Sequence, residues 1–138
     1  MIKNGWEWAI DPDEVETYKD SGKWLIFLNA EQERGIWNDI CESLSQGELS
    51  KCCYQVKMAL RPRFNEVSKE SRKVVCVYTK NFNDKEQVKE CLKVLRSLGF
   101  NDVMYYKTDN QTRSGLYRGG SQKSYIYFSR RGNDFSIA

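Results

Sequence analysis

The sequence predicts an α+β fold, a mostly antiparallel β-sheet with two main helices packed on one face. Three observations predict it. Short segments of apolar runs or apolar alternation recur between turn signals. Two longer stretches instead carry apolar residues at helical spacing. Their order is strand, helix, strand, strand, helix, strand, then a further strand or two, which is a split pattern of the ferredoxin-like kind. With 138 residues, the chain is expected to form a single α+β domain over positions 1–138.

The elements follow in order. Trp6 and Trp8 lie two apart, which puts both on one face of an extended segment. Pro12, Asp13 and Glu14 read as the charged first turn of a short helix. Lys23 to Leu28 is the first strong strand, entered through Asp20-Ser21-Gly22. Asn29 then stands as an N-cap with Gln32 at the capping-box position, and Ile36, Trp37, Ile40, Cys41 and Leu44 continue at helical spacing to Gly47. This predicts a helix over 30–46, with Trp37 in the core. Cys52 to Leu60 alternates as a half-buried strand, with Cys52 and Cys53 on opposite faces, and Arg61-Pro62-Arg63 breaks it. Lys73 to Thr79, β-branched and apolar on both faces, reads as a central strand. Asn83 and Glu86 suit a second capping box, and Val88, Cys91, Leu92, Leu95 and Leu98 mark its helix, closed by Gly99. Val103 to Lys107 is a further strand, and Ser124 to Phe128 the last.

Several functions are excluded or disfavoured. The mean hydropathy is −0.71, and the longest apolar stretch, Trp24 to Leu28, has strand length, so no membrane partner is expected. The N-terminus has no apolar signal region. Histidine is absent, which removes histidine triads, histidine metal sites and histidine general bases. The five cysteines are odd in number and lack C-x-x-C spacing, so a reduced, cytoplasmic protein is the simple reading. Cys76 and Cys91 read as core. The acidic run Asp11, Asp13, Glu14 and Glu16 lacks calcium-loop spacing. No cofactor, no metal and no catalytic residue is therefore assigned. The chain reads as a binding module rather than an enzyme, with activity left open. Its oligomeric state is not encoded in any feature of the sequence.

Charge is distributed unevenly. The formal net charge is +3, but residues 1–22 hold two lysines against six carboxylates and residues 107–138 hold six cations against two. A middle stretch, Arg61 to Lys73, adds five cations. Such asymmetry fits an anionic partner. Residues 105–120 concentrate hydroxyls, cations, tyrosines and glycines after a strand. Arg113 and Arg118 suit bidentate phosphate contacts, with Lys107, Thr108 and Lys123 beside them. Tyr105 and Tyr117 offer faces for a base. Trp6 and Trp8 either stack on a ligand or cover the sheet. The pattern is not a Walker loop, and a polar surface hairpin is the plain structural alternative.

The segments Trp6-Glu7-Trp8, Lys23-Trp24-Leu25-Ile26-Phe27, Ile36-Trp37, Val77-Tyr78-Thr79, and Tyr106-Lys107-Thr108-Asp109 through Thr112, Gly115 and Tyr117 resemble the basophilic-leukaemia-expressed protein family. The resemblance implies a fold similar to the cap-binding translation initiation factor of the 4E type. In those relatives two tryptophans sandwich a methylated guanine, an acidic side chain pairs with its edge, and basic residues hold the phosphates. It implies that class of site here, an aromatic stack plus arginine and lysine, without assigning the sandwich residue by residue.

The expected function is a non-catalytic module for a nucleotide or short nucleic-acid end. Arginine and lysine would hold phosphate while tyrosine or tryptophan holds the base. Sequestration of a signalling nucleotide by a small phage or bacterial protein is one such role. The alternative is a small protein–protein interaction module that binds and inhibits a partner protein, since aromatics and arginine also dominate interface hot spots.

Overall fold

The computed structural model describes residues 1–109 and 125–138. The chain opens with a hairpin of β1 (Ile2–Lys3) and β2 (Trp6–Trp8). Asn4 and Gly5 between them have φ of 56° and 86°, the left-handed pair that a two-residue turn of this hand requires. Pro12–Glu14 forms one 3₁₀ turn, in which Asp11 accepts a hydrogen bond from the Asp13 amide at 2.9 Å and pairs with Lys3 at 3.5 Å. Asp11 is thus spent on a cap and an ion pair, and Asp13 also pairs with Lys3.

Strand β3 (Gly22–Leu28) leads into α1 (Ala30–Gln32), a π-helical turn (Glu33–Trp37) and α2 (Asn38–Gln46). The Asn29 capping box is complete: Asn29 Oδ1 accepts from the Gln32 amide at 2.9 Å, and Gln32 Oε1 accepts from the Asn29 amide at 3.0 Å. A 3₁₀ turn (Glu48–Lys51), β4 (Gln55–Ala59), β5 (Arg63–Asn65) and the long β6 (Glu70–Thr79) follow. Helix α3 (Lys85–Ser97), β7 (Met104–Thr108), β8 (Tyr127–Ser129) and β9 (Ser136–Ile137) complete the described elements.

The strands lie in the order β1-β2-β4-β6-β3-β7-β8-β9, with β5 paired to the first part of β6. Every pairing among the described residues is antiparallel. One face carries Trp24, Ile26 and Leu28 of β3, Val56 and Met58 of β4, Val75 and Val77 of β6, and Met104 and Tyr106 of β7, all buried. Against it pack Trp37, Ile40 and Leu44 from the first helical segment and Val88, Cys91, Leu92 and Leu95 from α3. Trp24 Nε1 donates to the Val88 carbonyl at 3.0 Å, tying the central strand to α3. The α+β expectation, with two main helices on one face, holds.

Local readings differ from the sequence in several places, among them the strand expected last over Ser124 to Phe128, which is Tyr127–Ser129 and is followed by β9. The helix expected over 30–46 is helical throughout but widens to a π turn at Glu33–Trp37, where Gly35 sits. The cap of α3 is Asp84, whose carboxylate accepts from the Gln87 amide at 3.1 Å, one residue beyond the expected Asn83. The strand expected from Cys52 begins only at Gln55, because Glu48–Lys51 curls into a turn. Cys52 and Cys53 therefore do not alternate across a sheet; both are buried, their thiols donating to the Leu49 and Gln55 carbonyls. Finally, Arg61-Pro62-Arg63 is a bend rather than an end, and β5 continues along β6.

Candidate functional site

Side-chain alternation forces the partners of the core residues onto the other face of the sheet. There the register places Trp8 beside Lys57, Trp6 beside Ala59, Phe27 beside Val74, Leu25 beside Tyr105 and Arg63 beside Arg72. A groove of about 670 Å³ opens on this face. Its aromatic walls are Trp6, Phe27, Phe64 and Tyr105, and its cations are Arg61, Arg63 and Arg72. A smaller recess of about 170 Å³ adjoins it, sharing Phe27 and Tyr105 and adding Leu25, Lys107 and Tyr125. The lining of the two contains no carboxylate among the described residues.

The arginines differ in how they are held. Arg72 Nη1 donates to Asp102 Oδ2 at 3.0 Å, which anchors the guanidinium. Its Nε is buried 3.4 Å from Glu70 Oε1 but off the hydrogen-bond direction, so it stays unsatisfied. That Glu70 oxygen instead accepts from Asn29 Nδ2 at 3.0 Å. Arg61 and Arg63 are exposed and have no carboxylate partner among the described residues. Arg63 stands directly across from Arg72. Arg72 is already matched by Asp102 and Glu70, so Arg61 and Arg63 are the groove guanidinium groups open to an anion.

Toward the other end, Lys57 is half-buried with its Nζ 3.9 Å from the Trp6 ring centroid, 5.1 Å from that of Trp8 and 5.8 Å from that of Tyr78. Burial holds its ammonium below the usual lysine range. Lys23 pairs with Asp109 at 3.5 Å and is buried. Tyr105 packs on Tyr125 with centroids 4.8 Å apart.

Of the residues expected at a site, Trp6 and Tyr105 line the main groove and Lys107 the smaller recess. Trp8 shares the face but donates its Nε1 to the Lys3 carbonyl at 3.1 Å. Thr108 alternates to the helix side and is buried. Arg113, Tyr117, Arg118 and Lys123 lie outside the described residues. Sequence reasoning missed Phe27, Phe64, Arg61, Arg63 and Arg72 as site residues. The cationic stretch was visible; the β5–β6 pairing that aims it at Phe27 was not.

The fold defines the class. Schistosome eIF4E complexed with m7GpppA and 4E-BP matches with a TM-score of 0.58 at 19% identity, over 80% of this chain and 60% of that one. Schistosome eIF4E complexed with m7GpppG and 4E-BP matches with a TM-score of 0.55 at 18% identity, over 86% and 59%. Ascaris suum eIF4E-3 with m7G cap matches at 0.51 and 12% identity, over 75% and 54%. The chain thus has an eIF4E-like fold and spans no more than three-fifths of the length of these proteins. By sequence, it belongs to the family of basophilic leukemia-expressed protein Bles03, whose profile matches residues 15–114. That span contains every groove arginine, Phe27, Phe64 and Tyr105, and leaves out Trp6 and Trp8.

Proposed function

We propose that the protein is a non-catalytic module binding a nucleotide or a short nucleic-acid end on the sheet face away from the helices. The observation that carries this reading is the convergence of Arg61, Arg63 and Arg72 on a carboxylate-free groove walled by Trp6, Phe27, Phe64 and Tyr105. Guanidinium forks bind phosphate through paired, charge-assisted hydrogen bonds. Aromatic walls give a base a face to stack on, worth about 1–3 kcal/mol per base. The eIF4E structures of the same fold are complexes with m7GpppA, m7GpppG or an m7G cap, which adds support for a nucleotide on this scaffold.

Thermal unfolding against mono- and dinucleotides, cap analogues and short oligonucleotides tests the reading. A ligand at a hundredfold excess over its dissociation constant stabilises the native state by about 2.7 kcal/mol. The expected result is a rise in Tm for a phosphate-bearing class, reduced in Arg61→Ala and Arg63→Ala by about tenfold in affinity each, as loss of a charge-assisted contact implies. No shift at millimolar ligand contradicts it.

A second reading, a protein-binding and inhibitory module, is favoured by Phe64 and Val67, which are 56% and 94% exposed on and beside the β5–β6 hairpin. Capture of a protein partner that survives saturating nucleotide and is lost in Phe64→Ala would favour it.

A further inference from the structure

We infer that Lys57 is a specificity residue that turns the groove against positively charged, N-methylated bases and toward neutral ones. The inference rests on the nucleotide reading above and refines which nucleotide the site takes.

An indole ring attracts a cation through the negative potential of its faces. In the eIF4E complexes of this fold the ligands are m7GpppA, m7GpppG and an m7G cap, and an N7-methylated guanine carries a positive charge on its ring. Trp6 is the groove tryptophan here, and a cation already sits on it. Lys57 Nζ lies 3.9 Å from the Trp6 centroid and 5.1 Å from that of Trp8, so one ammonium engages both N-terminal tryptophans. No hydrogen-bond or ion-pair acceptor holds the Lys57 ammonium among the described residues.

The register fixes this contact. Lys57 is the direct cross-strand neighbour of Trp8, and Trp6 is its diagonal neighbour opposite Ala59. The residue opposite Trp6 is the small Ala59, which leaves room on this face for the ammonium to reach the Trp6 ring.

A base stacking on the free face of Trp6 would lie roughly 7–8 Å from Nζ, given ordinary van der Waals contact across the ring. That is inside a Debye length of about 8–10 Å, and the space between is an aromatic ring rather than water. Two cations would thus compete for one ring. The rest of the lining offers a cationic base no compensation, since it holds Arg61, Arg63 and Arg72 and no carboxylate among the described residues. A neutral base with an anionic tail meets the opposite situation, with a ring to stack on and the groove arginines to meet its phosphates. Building repulsion against one ligand is a common route to specificity. Burial holds the Lys57 ammonium below the usual lysine range.

The test is calorimetric titration of the protein with guanosine triphosphate and with N7-methylguanosine triphosphate, which differ by one methyl group and one positive charge. The expected result is tighter binding of the unmethylated nucleotide. In Lys57→Met the ratio should move toward the methylated nucleotide by about two- to fivefold, the size of an exposed to partly buried cation–π contact. Lys57→Arg, which keeps the cation, should retain the wild-type ratio. A wild-type protein that prefers the methylated nucleotide overturns the inference and leaves the nucleotide reading standing. A ratio unchanged in Lys57→Met, with melting temperature intact, also overturns it. If the folded protein binds neither nucleotide, the nucleotide reading itself fails and takes the inference with it.

Discussion

Two residues away from the groove show how tightly the packing constrains single side chains. Gly22 opens β3 directly opposite Thr79 and Thr108, and a methyl group there would overlap the ring and hydroxyl of Tyr106. That hydroxyl is held by Thr79 Oγ1 at 2.5 Å in the buried layer. Gly22→Ala should therefore cost about 1–3 kcal/mol, the usual range for overpacking, read as a lower urea midpoint with an unchanged slope. The turn signal Asp20-Ser21-Gly22 was legible in sequence, but its reason, a ring from a strand more than eighty residues away, was not. Arg96 is likewise silent in sequence, appearing as one more helix cation. In the fold it is 9% exposed and donates to the carbonyls of Phe100, Asp102, Ser129 and Gly132 and to Ser129 Oγ. It satisfies the end of α3 and holds the turn after β8. Arg96→Met removes all of these donors and should cost at least about 3 kcal/mol, since each buried acceptor left unpaired costs about 1–3 kcal/mol.

Elements with strong local signals were legible, and those made by pairing were not. The Asn29-x-x-Gln32 box announced its helix because the cap is a contact within four residues. Asn29→Ala should lower stability by about 1–2 kcal/mol, with loss of the cap and of the bond to Glu70, measured by thermal unfolding. β5 shows the opposite case. Arg63–Asn65 has neither length nor apolar alternation and is exposed at each residue; it is a strand only because β6 offers it a partner. The consequence for the site is large. A break after Leu60 would leave Arg61 and Arg63 as loop charges, whereas the hairpin sets them over Phe27 and against Arg72. The N-terminal hairpin is a similar omission, although its Asn4-Gly5 turn was a signal in plain view. The tyrosine- and glycine-rich segment that carried most of the sequence-based site lies largely outside the described residues, so the groove on the β4–β6–β3–β7 face rests on different side chains.

For the whole molecule, sheet alternation divides labour between two faces. One is the helix-covered core, and the other keeps aromatics at its centre and guanidinium groups at one end. Burial on both faces also sets the response to pH. It pushes the Cys53 and Cys76 thiols and the Tyr78 and Tyr106 hydroxyls above their ordinary values of 9.0 and 10.0. Groups whose native pKa is raised favour folding below the unfolded value, and that stabilisation is lost as pH climbs past it. Lys57, lowered by burial, acts in the opposite sense, but the thiols and phenols raised by burial outnumber it. The urea midpoint should accordingly fall between pH about 8 and about 10.5, and a flat profile would contradict this distribution of buried acids.

Whether the arginine groove holds a phosphate-bearing nucleotide is decided by calorimetric titration of nucleoside triphosphates into the wild-type protein and the Arg61→Ala, Arg63→Ala double variant. Binding should be saturable, weaken with salt and fall by about a hundredfold in the double variant, the sum of two charge-assisted contacts. Binding of equal strength in the two proteins, or none in a folded wild-type protein at millimolar nucleotide, would contradict it.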